Sequence, residues 1–100
     1  MHNPDGIERV GFILADCAIV EVPNISPEPV ISFMVRGEDI LKYALSGLAN
    51  ATWHTHPKKD ANLTVQDNEM FLNYPDLEHY IIGTDGVRKY IVVKGMVVNA

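Results

Sequence analysis

Cysteine is nearly absent: Cys17 is the only one in 100 residues. That excludes an intrachain disulfide and a zinc knuckle built on thiolates, and it agrees with a reducing compartment. As a lone thiol, Cys17 reads as a small buried or half-buried residue and not as a nucleophile. Long apolar runs are missing too, since none approaches the roughly 18 residues of a membrane span. The first residues, Met1-His2-Asn3-Pro4-Asp5, lack the basic and apolar regions of a signal peptide. The expectation is a cytoplasmic protein without a membrane partner. Basic charge is scarce, with 8 Lys and Arg against 13 Asp and Glu, a formal charge of -5, and no basic cluster larger than Lys58-Lys59. Binding to a nucleic-acid backbone is therefore disfavoured. There is no internal repeat, low-complexity tract or linker, so residues 1–100 read as one domain with a single core and no large lid.

What is present is an ordinary globular composition, 47% hydrophobic and 21% charged. After a polar lead-in, Glu8 to Leu14 and Ala18 to Val22 are β-rich runs joined by Ala15-Asp16-Cys17, an antiparallel hairpin with Glu8 opening its first strand. Pro23, Pro27 and Pro29 fall within seven residues and force a surface loop. Val30 to Val35 reads as a strand. From Gly37 to Leu48 the period changes to that of a helix, with Ile40, Leu41, Ala44, Leu45 and Leu48 as its apolar stripe. Ala51-Thr52-Trp53 then forms a short strand, Lys58 to Leu63 a polar loop, and Thr64 starts a second helix that Tyr74-Pro75 stops. Strands follow at Leu77 to Gly83 and Val87 to Lys94, joined through Asp85-Gly86, with a short closing strand from Gly95 to Val98. The fold class is α+β: a mixed, mostly antiparallel sheet flanked by two helices, sandwich-like.

Coordination chemistry is concentrated in one stretch. If His54-Thr55-His56 ends a strand, the spacing sets both imidazoles on one face, because strand side chains alternate. Pro57 ends the strand just after the second imidazole. Asp67 follows His56 by eleven residues, close enough to fold back onto the strand end. Two histidines and a carboxylate make an open ligand set that leaves a position for water, and imidazole favours zinc or a neighbouring divalent ion over calcium or magnesium. Thr64-Val65-Gln66-Asp67 is also a capping box, and capping by itself would account for Thr64 and Asp67. A metal hydrolase further needs a general base. Glu8 is the candidate, with Glu21 and Glu78 as rivals. His2 reads as a solvated terminal residue and His79 as an exposed or packed strand residue.

Glu8-x-x-Gly11-Phe12-Ile13, then His54-x-His56-Pro57, six residues, Thr64, two residues and Asp67, resembles the JAMM motif of the MPN-domain metalloproteases. The resemblance extends along nearly the whole chain and implies the cytidine deaminase-like MPN architecture with a reduced amino terminus, since members usually carry a helix before the glutamate strand. It implies that His54, His56 and Asp67 hold Zn2+, that Glu8 is the general base, and that Thr64 stands where the family usually has an oxyanion-stabilising serine. It implies hydrolysis of a peptide or isopeptide bond in a peptide or protein substrate. Val10 stands where many prokaryotic members have cysteine. The compact layout is similar to bacterial and bacteriophage versions, including the protease-like domain of phage tail assembly proteins, which would place the chain in the host cytoplasm. A non-catalytic assembly module of the same fold is the alternative, and a missing first helix would leave an apolar face for a second copy or an assembly partner.

Overall fold

The computed structural model describes residues 6–28, 32–57 and 59–100. Its frame is one six-stranded sheet in the order β2-β1-β3-β4-β5-β6, made of β1 (Val10–Leu14), β2 (Ile19–Val22), β3 (Ala49–Thr55), β4 (Glu78–Gly83), β5 (Gly86–Val93) and β6 (Met96–Asn99). Four strand pairs are antiparallel, and β3 with β4 is the parallel one. Helix α2 (Val65–Asn73) is the crossover between β3 and β4, as a parallel pair requires. The other helix, α1, starts as an α turn at Gly37–Asp39 and continues in π-helical form at Ile40–Leu45. This is the mixed, mostly antiparallel α+β fold with two helices that the periodicity predicts.

Register decides which side chains meet. Val10 pairs with His54 and Phe12 with Thr52, while His54 and Thr52 lie beside Ile81 and His79 on the parallel strand. Because strand side chains alternate, these residues share one face. The helices pack on that face, over two clusters. One joins Val10, Phe12, Val22 and Ala49 with Tyr43 and Ala44 of α1; the other joins Ala61, Phe71, Ile81 and Tyr90. On the opposite face Trp53 pairs across from Gly11, and its indole lies over it. A Cβ on Gly11 would come within 2.6 Å of the indole Nε1 and 1.9 Å of the Val20 carbonyl oxygen.

Several expectations are corrected. Residues 32–35 are not a strand, and Val30 and Ile31 lie outside the described residues. The Met34 N–H goes to the Asn24 side chain and the Ser32 N–H to the Glu28 carbonyl, so loop partners replace a strand ladder. Helix α1 ends at Leu45, and Leu41, Leu45 and Leu48 are exposed instead of forming a buried stripe. The i→i+5 winding displaces the 3.6-residue stripe and brings Tyr43 onto Phe12, with ring centroids 5.1 Å apart. Cys17 is exposed, at φ 69° in the β1–β2 turn. Strand β1 begins at Val10, leaving Glu8 two residues before it. No helix among the described residues is long and apolar enough to cross a membrane.

Candidate metal centre

The site forms where the carboxyl end of β3 meets the start of α2. His54 is the penultimate residue of β3 and His56 follows its end, so the alternation sends both imidazoles to the helix-bearing face. Their Nε2 atoms stand 3.2 Å apart. Thr64 caps α2 and accepts the Asp67 N–H on its hydroxyl at 3.1 Å, while the Asp67 carboxylate accepts the Thr64 N–H at 3.2 Å. This reciprocal box aims the carboxylate at the histidines. Asp67 Oδ1 lies 3.0 Å from Nε2 of His54, and Oδ2 lies 3.1 Å from Nε2 of His56. Capping and convergence on the histidines are therefore properties of the same residue.

Glu8 closes the fourth side. One carboxylate oxygen of Glu8 and one nitrogen each of His54 and His56 lie within 4.8 Å of one another, and all three residues are buried. The rival carboxylates are elsewhere. Glu21 forms an ion pair with Arg9 and Glu78 lies 3.6 Å from Lys89, both on the opposite face of the sheet. Glu8 is held through its own backbone: its carbonyl accepts from the Asn24 amide at 2.8 Å. Asn24 also donates to the Ser32 carbonyl and accepts the Ser26 and Met34 N–H groups, each at 3.0 Å. One side chain thus ties Glu8 to the loop whose Phe33 ring packs 4.5 Å from that of His54.

His56 is fixed from behind. Its Nδ1 lies 2.8 Å from the Asp60 carbonyl oxygen, which can only accept, so Nδ1 carries a proton and a neutral His56 presents a lone pair at Nε2. That lone pair faces a carboxylate oxygen of Asp67. Two acceptors at hydrogen-bond distance need a cation, a proton or a metal ion, between them. The loop bearing Asp60 is itself pinned to the β4–β5 turn, because Asp85 accepts the Ala61 N–H at 2.8 Å and Lys59 accepts the Thr84 N–H at 2.9 Å.

Electrostatics follow from burial and this acid–imidazole contact. Burial holds Glu8 far above the usual carboxylate range, at about 7, with Asp67 adding to the rise and the charges of His56 and Lys59 opposing it. Burial also lowers His54, against the pull of Asp67. For His56, burial acts downward, but Asp67, the Asp60 carbonyl and Glu8 prevail and raise it. Burial would raise Asp67; its contacts with His54, His56 and Thr64 outweigh that and hold it well below the ordinary range. The buried Glu8, His54 and His56 group, with Asp67 across both imidazoles, could hold a metal ion.

A cleft of about 420 Å³ opens onto this centre, with Glu8, His56, Thr64 and Asp67 in its wall and Lys59 and Gln66 beside them. The third histidine among the described residues, His79, is a packed strand residue. It is fully buried, stacks on Phe71 at 4.1 Å, and is held between the Thr52 hydroxyl at 2.7 Å and the Tyr74 carbonyl at 3.0 Å. His2 lies outside the described residues. The positioning residues Asn24, Asp60 and Phe33 were not read from the sequence. An Asn in a proline-rich loop is a turn signal, which hints at Asn24 without naming what it holds.

No protein-family model and no curated protein matches the chain. The solution structure of protein DSY2949 from Desulfitobacterium hafniense is similar in fold, with a TM-score of 0.73 over 96% of this chain and 77% of that one at 16% identity.

Proposed function

We propose that the protein is a zinc-dependent metallopeptidase of the JAMM type that hydrolyses a peptide or isopeptide bond with Glu8 as general base. One observation carries the reading: the two Nε2 atoms and the Asp67 carboxylate oxygens approach one another to 3.0–3.2 Å, with the Glu8 carboxylate beside them. Asp67 meets each imidazole through a different oxygen, and these spacings, hydrogen-bond lengths in themselves, are also near the edge, about 3.3 Å, of a tetrahedron with bonds of about 2.0–2.1 Å. His54, His56 and Asp67 would hold the ion, and zinc there would supply Lewis acidity toward a carbonyl and toward water.

The chain's own residues account for the proton movements. Glu8, with its pKa at about 7 and its backbone fixed by Asn24, is suited to take a proton from the attacking water and return it to the leaving amine. Asp67 and the Asp60 carbonyl hold the imidazoles in one orientation and one tautomer. Thr64 accepts on its hydroxyl oxygen and keeps the hydroxyl proton to donate to an oxyanion. The MPN architecture and the phage tail-assembly type belong to this proposal; the α+β fold and the motif spacing support the first, and the second rests only on the compact layout of the chain. A second reading, an assembly module of the same fold without turnover, is supported by exposed Ile19, Leu41, Leu45, Val87 and Met96.

The test measures bound metal and peptide-library hydrolysis in wild type, Glu8→Gln and His56→Ala. The expected result is one zinc per wild-type chain, zinc retained with turnover lost in Glu8→Gln, and zinc lost in His56→Ala. Stoichiometric zinc without any Glu8-dependent cleavage would leave the assembly module standing. Absence of zinc affinity in the wild type would overturn both metal readings.

A further inference from the structure

A second cleft, of about 340 Å³, adjoins the metal cleft on the same face of the sheet, between α1 and α2. Phe12, Phe33, Met34, Ile40, Ala44 and Met70 supply its apolar wall. Thr52, Gln66, Asn73 and Tyr74 add neutral polar groups, and among the described residues Glu69, which is exposed, is the one carboxylate, with no Lys, Arg or His, in its lining. The two clefts adjoin, and Phe33, Met34, Gln66 and Met70 line both. We infer that this cleft is a substrate subsite, which takes a bulky aliphatic or aromatic side chain (Leu, Met or Phe) of the peptide whose scissile carbonyl sits at the metal centre.

The inference rests on the proposed peptidase reading and narrows it to a substrate class. Register gives the reach. Val10 pairs with His54 at the metal centre, and the next like-facing pair, Phe12 with Thr52, lies in the cleft wall. Two residues along a strand cover about 6.6 Å, and an extended substrate advances about 3.3 Å per residue. A side chain one or two residues from the scissile carbonyl therefore reaches the cleft while the carbonyl stays at the metal. Chemistry gives the class. A charge buried among Phe12, Phe33, Ile40 and Ala44 finds no charged partner, because Glu69 is exposed, and so is disfavoured there. Met34, which is 51% exposed at the lip, and half-buried Met70 are flexible thioethers that adapt to side chains of different shape. Occupancy by the same substrate, rather than by a separate partner, follows from the shared walls: a chain lying in the metal cleft passes Phe33 and Met70 on its way.

The test uses the zinc-loaded full chain carrying Glu8→Gln, so that peptides bind without being cut. Blocked pentapeptides that differ only in a central Leu, Ala or Lys are titrated while methyl NMR signals are followed. The Leu peptide should bind about tenfold more tightly than the Ala peptide, the discrimination a buried side chain of that size brings, with shifts at Ile40, Ala44 and Met70. Ala44→Phe, which fills the cleft from α1, should erase the difference while zinc content and Ala-peptide affinity stay the same. Ile40→Phe serves equally if Ala44→Phe does not fold. Equal binding of Leu and Ala peptides, preference for Lys, no binding of any peptide, or discrimination that survives filling would each overturn the subsite. Leu-selective binding with these shifts but no hydrolysis by the wild type would keep the subsite and refute the peptidase. Hydrolysis indifferent to Leu would do the reverse.

Discussion

The Asn24 side-chain amide donates to the backbone carbonyl of Glu8 at 2.8 Å, across sixteen residues of sequence. The same side chain satisfies Ser26, Ser32 and Met34, so a single truncation leaves four backbone groups short of a partner. With about 1 kcal/mol net per hydrogen bond, and water replacing part of the loss at a half-buried site, Asn24→Ala should cost about 2–3 kcal/mol in urea unfolding. If the proposed peptidase reading holds, zinc content should be unchanged and hydrolysis reduced about tenfold or more, since the proposed base and not the proposed ligands would be displaced. A variant that loses zinc and activity in parallel would show that Asn24 supports the ligands instead.

On the proposed reading, Thr64 would join stability to metal affinity through the capping box. Thr64→Ser keeps the hydroxyl and should be near neutral. Thr64→Ala removes the acceptor of the Asp67 N–H and should cost about 1 kcal/mol. It also frees the carboxylate from its aim, so zinc affinity in chelator competition should fall about tenfold. Unchanged zinc affinity in Thr64→Ala would separate cap from ligand.

Gly83 controls His56 from a distance. Its need is space: a Cβ there would come within 2.2 Å of the Ala61 nitrogen and 2.4 Å of the Asp60 carbonyl carbon. Gly83→Ala must push back the loop whose Asp60 carbonyl holds the His56 imidazole. The expected result is a loss of about 1–3 kcal/mol in stability together with weakened zinc binding. Gly86→Ala, three residues on with nothing within 4 Å of the added carbon but φ at 122°, should lower stability alone.

His79 should make the fold acid-sensitive without touching the metal. Burial holds its pKa down at about 4, with the Tyr74 carbonyl opposing and the charge of His54 adding slightly. Unfolded, it titrates near 6.5. Between these values the unfolded chain binds the extra proton, so the contribution is complete above about pH 6.5 and is lost as pH falls through about 4. The span of roughly 2.5 units corresponds to about 3 kcal/mol. The difference in unfolding free energy between wild type and His79→Gln, measured from pH 7 to 4, should shrink by that order as pH falls. A difference independent of pH would mean that His79 titrates alike in the folded and unfolded chain and that burial does not hold its pKa down.

Much of the frame was legible in local signals. The Asp85-Gly86 turn and the flanking β-branched runs mark the β4–β5 hairpin, and Thr64 with Asp67 marks the start of α2 to the residue. Where local signals misled, a long-range partner had replaced the expected one. Residues 32–35 read as a strand, but Asn24 and Glu28 take their backbone donors. The leucines of α1 fit a 3.6-residue stripe, but the π winding turns Tyr43 to the core in their place.

The same division runs through the candidate site. Spacing alone determines that His54 and His56 leave the strand on one side and that Asp67 sits at the third position of a capped helix, because strand alternation and capping are local rules. Only the tertiary structure decides that Val10 lies beside His54, which brings Glu8 to the histidines and sends Glu21 and Glu78 to the other face. Register is set by how whole strands pack and turn, and no short segment encodes it. The apolar cleft is equally a tertiary fact, since its walls come from β1, the 33–35 loop, α1 and α2, which are adjacent in space and not in the chain.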